Sequence, residues 1–141
     1  MPSGFWKNSI AKFNTATGFA EDILLDDQGQ TLIGVHVLRI TKISVKPTSQ
    51  VKTTGALCCS VYTSYKQTSE GPVKKQYIPI DIFTLAGPKD QVIIIPITND
   101  LIIQFSDISN ISFWLEDLNK KKLGNVQLDV LFSHQKSVNN P

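Results

Sequence analysis

The sequence predicts an all-β chain: a single β-sandwich, jelly-roll-like, of about eight strands. Three observations carry that expectation. Short runs of alternating apolar and polar residues recur with the period of two that a half-buried strand requires. Turn-forming clusters punctuate these runs, as at Asp26-Asp27-Gln28-Gly29 and Ala86-Gly87-Pro88-Lys89-Asp90. No stretch of ten or more residues combines a helical apolar period with caps. Many short strands between tight turns point to a sandwich or barrel, and a jelly roll of two Greek keys uses eight.

The elements follow in order. Residues 1–12 read as an N-terminal arm in which Phe5, Trp6 and Ile10 stand among Gly, Pro, Ser and Asn. Large apolar side chains on an arm are costly in water, so they dock either on their own domain or on a neighbouring subunit. The sandwich then occupies residues 13–133. Residues 19–25 predict a strand closed by the Asp26–Gly29 turn. Residues 31–45 carry the longest β signal, with Ile33, Val35 and Val37 on one face and Leu38 and Ile40 on the other; Gly34 suggests a bulge or bend, and Pro47 a stop. Residues 55–65 alternate Leu57, Cys59, Val61 and Thr63 with Cys58, Ser60, Tyr62 and Ser64. Residues 66–72 read as a polar loop, and residues 73–85 as an extended edge segment because Pro79 cannot donate to a ladder. Further strands are expected at 91–97, 101–105, 111–117 and 126–132, the last two joined by a polar hairpin at 118–125. Residues 134–141 read as a polar tail.

Composition bounds the function. A chain of 141 residues fits one domain, and 41% hydrophobic residues supply a core without staples. Charged residues are only 18%, against roughly 25% in ordinary soluble domains. The neutral polar surface this leaves suits packing against copies of the chain or other proteins. A net charge of +2 with Arg39 as the single arginine argues against a specific nucleic-acid reader. No apolar run approaches the roughly 20 residues of a membrane-spanning helix. The first residues lack the apolar core of a signal peptide, so synthesis in the cytosol without export by the usual signal is expected.

Residues that could carry chemistry are few. His36 and His134 are far apart in sequence and read as packed or surface histidines. Cys58 and Cys59 are adjacent, so in a strand they point to opposite faces and cannot readily pair. Asp26 and Asp27 precede Gly29 and read as turn residues; Glu21-Asp22 matches no calcium loop. Asn110-Ile111-Ser112 is a formal glycosylation sequon without expected consequence in a cytosolic chain. No nucleophile elbow, phosphate loop or dinucleotide fingerprint occurs. The expectation is therefore of no catalytic, cofactor-binding or metal-binding residues, with Trp114 joining Phe5, Trp6 and Ile10 as a candidate subunit contact.

Residues 111–132 carry a resemblance. Ile111, Phe113 and Leu115 alternate into Asp117, Asn119 and Lys120, then Leu123, then Val126, Leu128, Val130 and Phe132. This resembles the closing β-hairpin of short β-rich structural proteins encoded by virus-like DNA elements and their viral relatives. Those end in an alternating strand, Asp-x-Asn/Asp-Gly, a leucine and a Val-x-Leu-x-Val-x-Phe strand. Residues 23–45 are similar in outline to their N-terminal half. Lys120 stands where that pattern has glycine, and residues 31–45 lack its bulky tryptophan. The resemblance implies a jelly-roll-like capsid, fibre or spike component without catalytic residues, found in the virion and assembled in host cytoplasm or nucleus. Its partners would be copies of itself, with a trimer as one expected form, and other particle proteins, with a host receptor as a further candidate. The alternative expectation is a receptor- or carbohydrate-binding sandwich that recognises its ligand through loops 66–72, 86–90 and 118–125.

Overall fold

The computed structural model describes residues 6–30, 32–62, 67–68, 71–72, 75–77, 82–97, 101–106 and 110–136. Among these residues the regular structure is all β. The strands are β1 (Lys7–Asn14), β2 (Phe19–Ile23), β3 (Val35–Pro47), β4 (Val51–Tyr62), β5 (Gln67–Thr68) and β6 (Gly71–Pro72). There follow β7 (Lys75–Tyr77), β8 (Phe83–Gly87), β9 (Ile93–Ile95), β10 (Leu101–Ser106), β11 (Asn110–Asp117) and β12 (Val126–Lys136). All but the small β5–β6 pair belong to one antiparallel sheet ordered β10-β3-β12-β1-β2-β11-β4-β7, with β9 beside β3 and β8 beside β4.

That sheet folds over on itself at β1. Lys7–Ala11 pair with β12, whereas Lys12–Asn14 pair with β2, so one strand serves two layers. The first layer is β10/β9, β3, β12 and the start of β1; the second is the end of β1, β2, β11, β4 and β7/β8. Within the layers β1 pairs with β12, β2 with β11, β3 with β10, and β4 with β7 and β8, and the most extensive pairs, β3 with β12 and β4 with β11, join these two by two. This is a long antiparallel ribbon, first segment against last, rolled into two sheets, which is the jelly-roll pairing.

The core lies between the layers. Leu38, Ile40, Ile43, Val45, Val130 and Phe132 from the first sheet meet Ala20, Leu57, Cys59, Ile111, Phe113 and Leu115 from the second. Phe113 and Phe132 span the gap, with ring centroids 5.9 Å apart. Burial of several such side chains, each contributing about 1.5–3 kcal/mol, is the main force closing the sandwich.

A bulge explains the composite pattern of β3. Leu131 lies opposite Lys42 and Phe132 opposite Ile40, leaving Thr41 without an opposite number. The Thr41 hydroxyl donates to the Leu131 carbonyl at 3.1 Å. Before the bulge the even residues His36, Leu38 and Ile40 face inward; after it the odd residues Ile43, Val45 and Pro47 do. An extra residue flips the face of everything beyond it, because side chains alternate with period two. The bulge is at Thr41, while Gly34 is a bend, the other alternative expected of it, just before the strand at φ +88°, where an L side chain is strained.

Two other expectations need correction, and one resolves between its alternatives. From Lys7 onward the expected arm docks on its own domain as β1, with Ala11 completely buried at the fold of the sheet. Its short apolar pattern hid it, since a strand shared between two layers shows each inward face for only a few residues. The polar tail assigned from residue 134 begins later, because β12 runs through Lys136. Residues 111–132 are not a hairpin. After the turn at Asp117, Lys122 bridges back to Glu116 and the Leu123 amide donates to the Leu115 carbonyl. The chain then leaves β11 and joins β12 in the opposite layer. The expected segment 73–85 is described only in part, as β7 and the start of β8; Pro79 lies outside the described residues.

Candidate functional site: an uncovered sheet face and a two-histidine cleft

The outer faces of the two layers differ. On the second layer the outward residues of β11, namely Asn110, Ser112, Trp114 and Glu116, are all buried. Trp114 packs edge-on against Phe19, centroids 5.5 Å apart, with Cys58 completing a small cluster. The Cys58 thiol donates to Glu116 Oε2 at 2.9 Å. Lys122 Nζ sits 3.8 Å above the Phe19 ring and donates to the Thr17 carbonyl at 3.3 Å. Burial pulls the Lys122 ammonium below its ordinary pKa, opposed by the nearby Glu21 charge. Gly18 makes room for it: a Cβ there would collide with Lys122 Nζ.

The first layer carries an uncovered apolar stripe. Ile10 and Leu131 face each other across β1 and β12. Ile102, Arg39, Ser133 and Asn8 form a row through β10, β3, β12 and β1. Trp6 lies over Arg39, the guanidinium 5.2 Å from the ring centroid. Trp6, Ile10 and Leu131 each stay 36% exposed, Ile94 49% and Ile102 54%. Isolated exposed aliphatics are common; five along one sheet face are a patch.

The four candidate contacts therefore part company. Trp6 and Ile10 stand on the open face. Trp114 is 6% exposed and spends its ring surface within the chain. Phe5 lies outside the described residues. Loop 66–72 is described only at its two short strands, and loops 86–90 and 118–125 are exposed turns.

The structure also joins residues the sequence kept apart. His36 on β3 and His134 on β12 both face inward on neighbouring strands, at one end of the first layer. They border a cleft of about 580 Å³ lined by Trp6, Lys7, Leu25, Asp26, Asp27, Leu32, Gln135 and Lys136 as well. His36 stacks on Phe105 at 5.8 Å, and His134 tilts over Phe132 at 6.1 Å. Burial, then the His36 and Lys7 charges, push the His134 pKa down to about 4. The two histidines are 98 residues apart in number, and only the β3–β12 register could have paired them.

The remaining candidates behave as local structure. Asp26 Oδ1 accepts from the Gln28 and Gln30 amides at 2.8 and 2.9 Å, which holds its carboxyl below the usual range. Cys58 and Cys59 point to opposite faces, the first to the outer cluster and the second into the core, where burial raises the Cys59 thiol pKa. Asn110 is buried and accepts from the Ser112 hydroxyl at 3.3 Å, which closes the sequon to modification in the folded state. Among the described residues no three His, Cys, Asp or Glu side chains converge as a metal site, and no helix is long and apolar enough to cross a membrane. No family model, curated protein or solved structure matches the chain significantly.

Proposed function

We propose that this protein is a non-enzymatic structural subunit that assembles with copies of itself through the outer face of the β10–β3–β12–β1 layer. The observation that carries the proposal is the contrast between the two layers. On the second layer the outward residues of β11 are buried, and of the large apolar residues of β2 and β11 Ile23 alone stays exposed, while the first layer presents Trp6, Ile10, Leu131, Ile94 and Ile102 to water. A subunit interface buries such side chains at its centre and leaves polar residues at the rim. Lys42, opposite Leu131, and Asp129, in one row with Ser44 and Ile94, interleave the apolar side chains with polar ones.

The kind of assembly we propose is a capsid, fibre or spike of a virus or virus-like particle, with other particle proteins as further partners. The jelly-roll pairing and the resemblance over residues 111–132 support this reading by analogy of fold. The resemblance now rests on spacing alone, since those residues form two strands in opposite layers.

Light scattering tests the proposal. A trimer or higher oligomer is expected, and a variant carrying Ile10→Glu and Leu131→Lys should fall to monomer mass with unchanged circular dichroism. Opposite charges across the β1–β12 pair support the strand pairing, while charge inside the interface opposes association. A wild-type chain that stays monomeric at high concentration, and binds glycans or a receptor through its loops, would replace assembly with the recognition reading.

A further inference from the structure

We propose that the two-histidine cleft is a binding site for a small molecule bearing a phosphate or carboxylate group. The inference does not depend on the assembly reading, although Trp6 belongs to both surfaces, and it rests on the buried histidines and donors of the cleft. His134 is 4% exposed and borders the cavity. Gln135 and Lys136 follow it on β12, and Lys7 and His36 approach from β1 and β3. Lys136 crosses the mouth, its Cε and Nζ 3.4 and 3.9 Å from where a Gly34 Cβ would stand.

The acidic residues of the cleft are engaged elsewhere. Asp26 Oδ1 is held by two amides of its own turn. The Asp27 side chain is 99% exposed and reaches only the Lys7 ammonium, at 3.9 Å; that ammonium also donates to the Leu25 carbonyl. Two buried imidazoles, His36 and His134, thus border the cleft with Gln135 and Lys136 beside them, while Lys7 and Asp27 pair with each other at its exposed edge. A volume of about 580 Å³ falls within the range of small-molecule sites, and Trp6, Leu25 and Leu32 give it an apolar wall.

Burial first, and then the like charges of His36 and Lys7, lower the proton affinity of His134. An anion in the cleft would act as a counter-charge and let the imidazole take up a proton. Binding should therefore strengthen as pH falls below about 6.5, where histidines ordinarily titrate.

Nuclear magnetic resonance of the histidine rings, with inorganic phosphate as the probe, tests this. Saturable shifts of both His36 and His134 are expected, with an upward displacement of the His134 titration in phosphate. Quenching or enhancement of Trp6 emission should follow the same isotherm. The exposed change Lys136→Gln, which leaves the core untouched, should weaken binding several-fold, and His134→Gln more so. Absence of a saturable shift at either histidine would overturn the proposal, as would equal affinity in wild type and both variants.

Discussion

At the scale of single residues, His134 sets how the fold answers to acid. Its pKa lies near 4 in the folded chain, against 6.5 when unperturbed. Between those values the unfolded chain holds a proton that the folded chain lacks. Stability therefore falls as pH drops from about 6.5 to about 4, and this contribution levels off below. The loss amounts to about 2 kcal/mol once screening by water in the cleft is allowed for. Urea midpoints measured across that range should decline in wild type and decline less in His134→Gln; parallel curves would show that the ring does not titrate with unfolding. Residue-level chemistry was partly legible in the sequence. The opposite facing of Cys58 and Cys59 followed from strand geometry alone. The turn role of Asp26 followed from its neighbours. The pairing of His36 with His134 did not, because register between strands so far apart is fixed by the packing of the whole sheet.

At the scale of elements, two turns of the chain are the same device with one difference. Asp26 accepts from the Gly29 amide through its carbonyl and donates to Gln30, while its carboxylate caps Gln28 and Gln30. Asp117 repeats this with Lys120, Lys121 and Asn119. The residue in the left-handed region is Gly29 at φ +78° in the first and Lys120 at φ +65° in the second. A left-handed L residue costs roughly 1–2 kcal/mol, and the greater freedom of unfolded glycine returns roughly half of that. Lys120→Gly should therefore stabilise the fold by about 0.5–1 kcal/mol, read as a higher thermal midpoint; an unchanged or lower midpoint would mean the Lys120 side chain supports the turn. Strands with strict alternation, such as β11 and β12, were visible in the sequence nearly to their ends. β1 was not, because its inward face changes layer at Ala11. β3 was visible as a strand but not as two faces, because Thr41 shifts its alternation midway.

At the scale of the whole molecule, the ribbon pairing makes nearly every important contact distant in sequence. Lys7 lies opposite His134 and Val35 opposite Ser106. Long loops must close before such contacts contribute, so sandwiches of this kind fold in roughly milliseconds to seconds, not microseconds. Stopped-flow refolding followed by tryptophan emission should show that slow range, and a submillisecond main phase would contradict the topology. The all-β class and the number of principal strands could be read from spacing and turns, since both are local properties. Which strands share a layer could not, as shown by residues 111–132, whose local pattern is that of a hairpin although the layers separate them. The sheared role of β1 has a consequence during synthesis. The first strand emerges from the ribosome early, yet its partner emerges only after about 120 more residues, on the order of ten seconds later at ordinary elongation rates. Throughout that interval the apolar faces of β2, β3 and β4 are without their final cover. The nascent chain thus depends on delayed, all-at-once closure, and chaperone attendance during translation would bear on its yield more than any single contact in the finished fold.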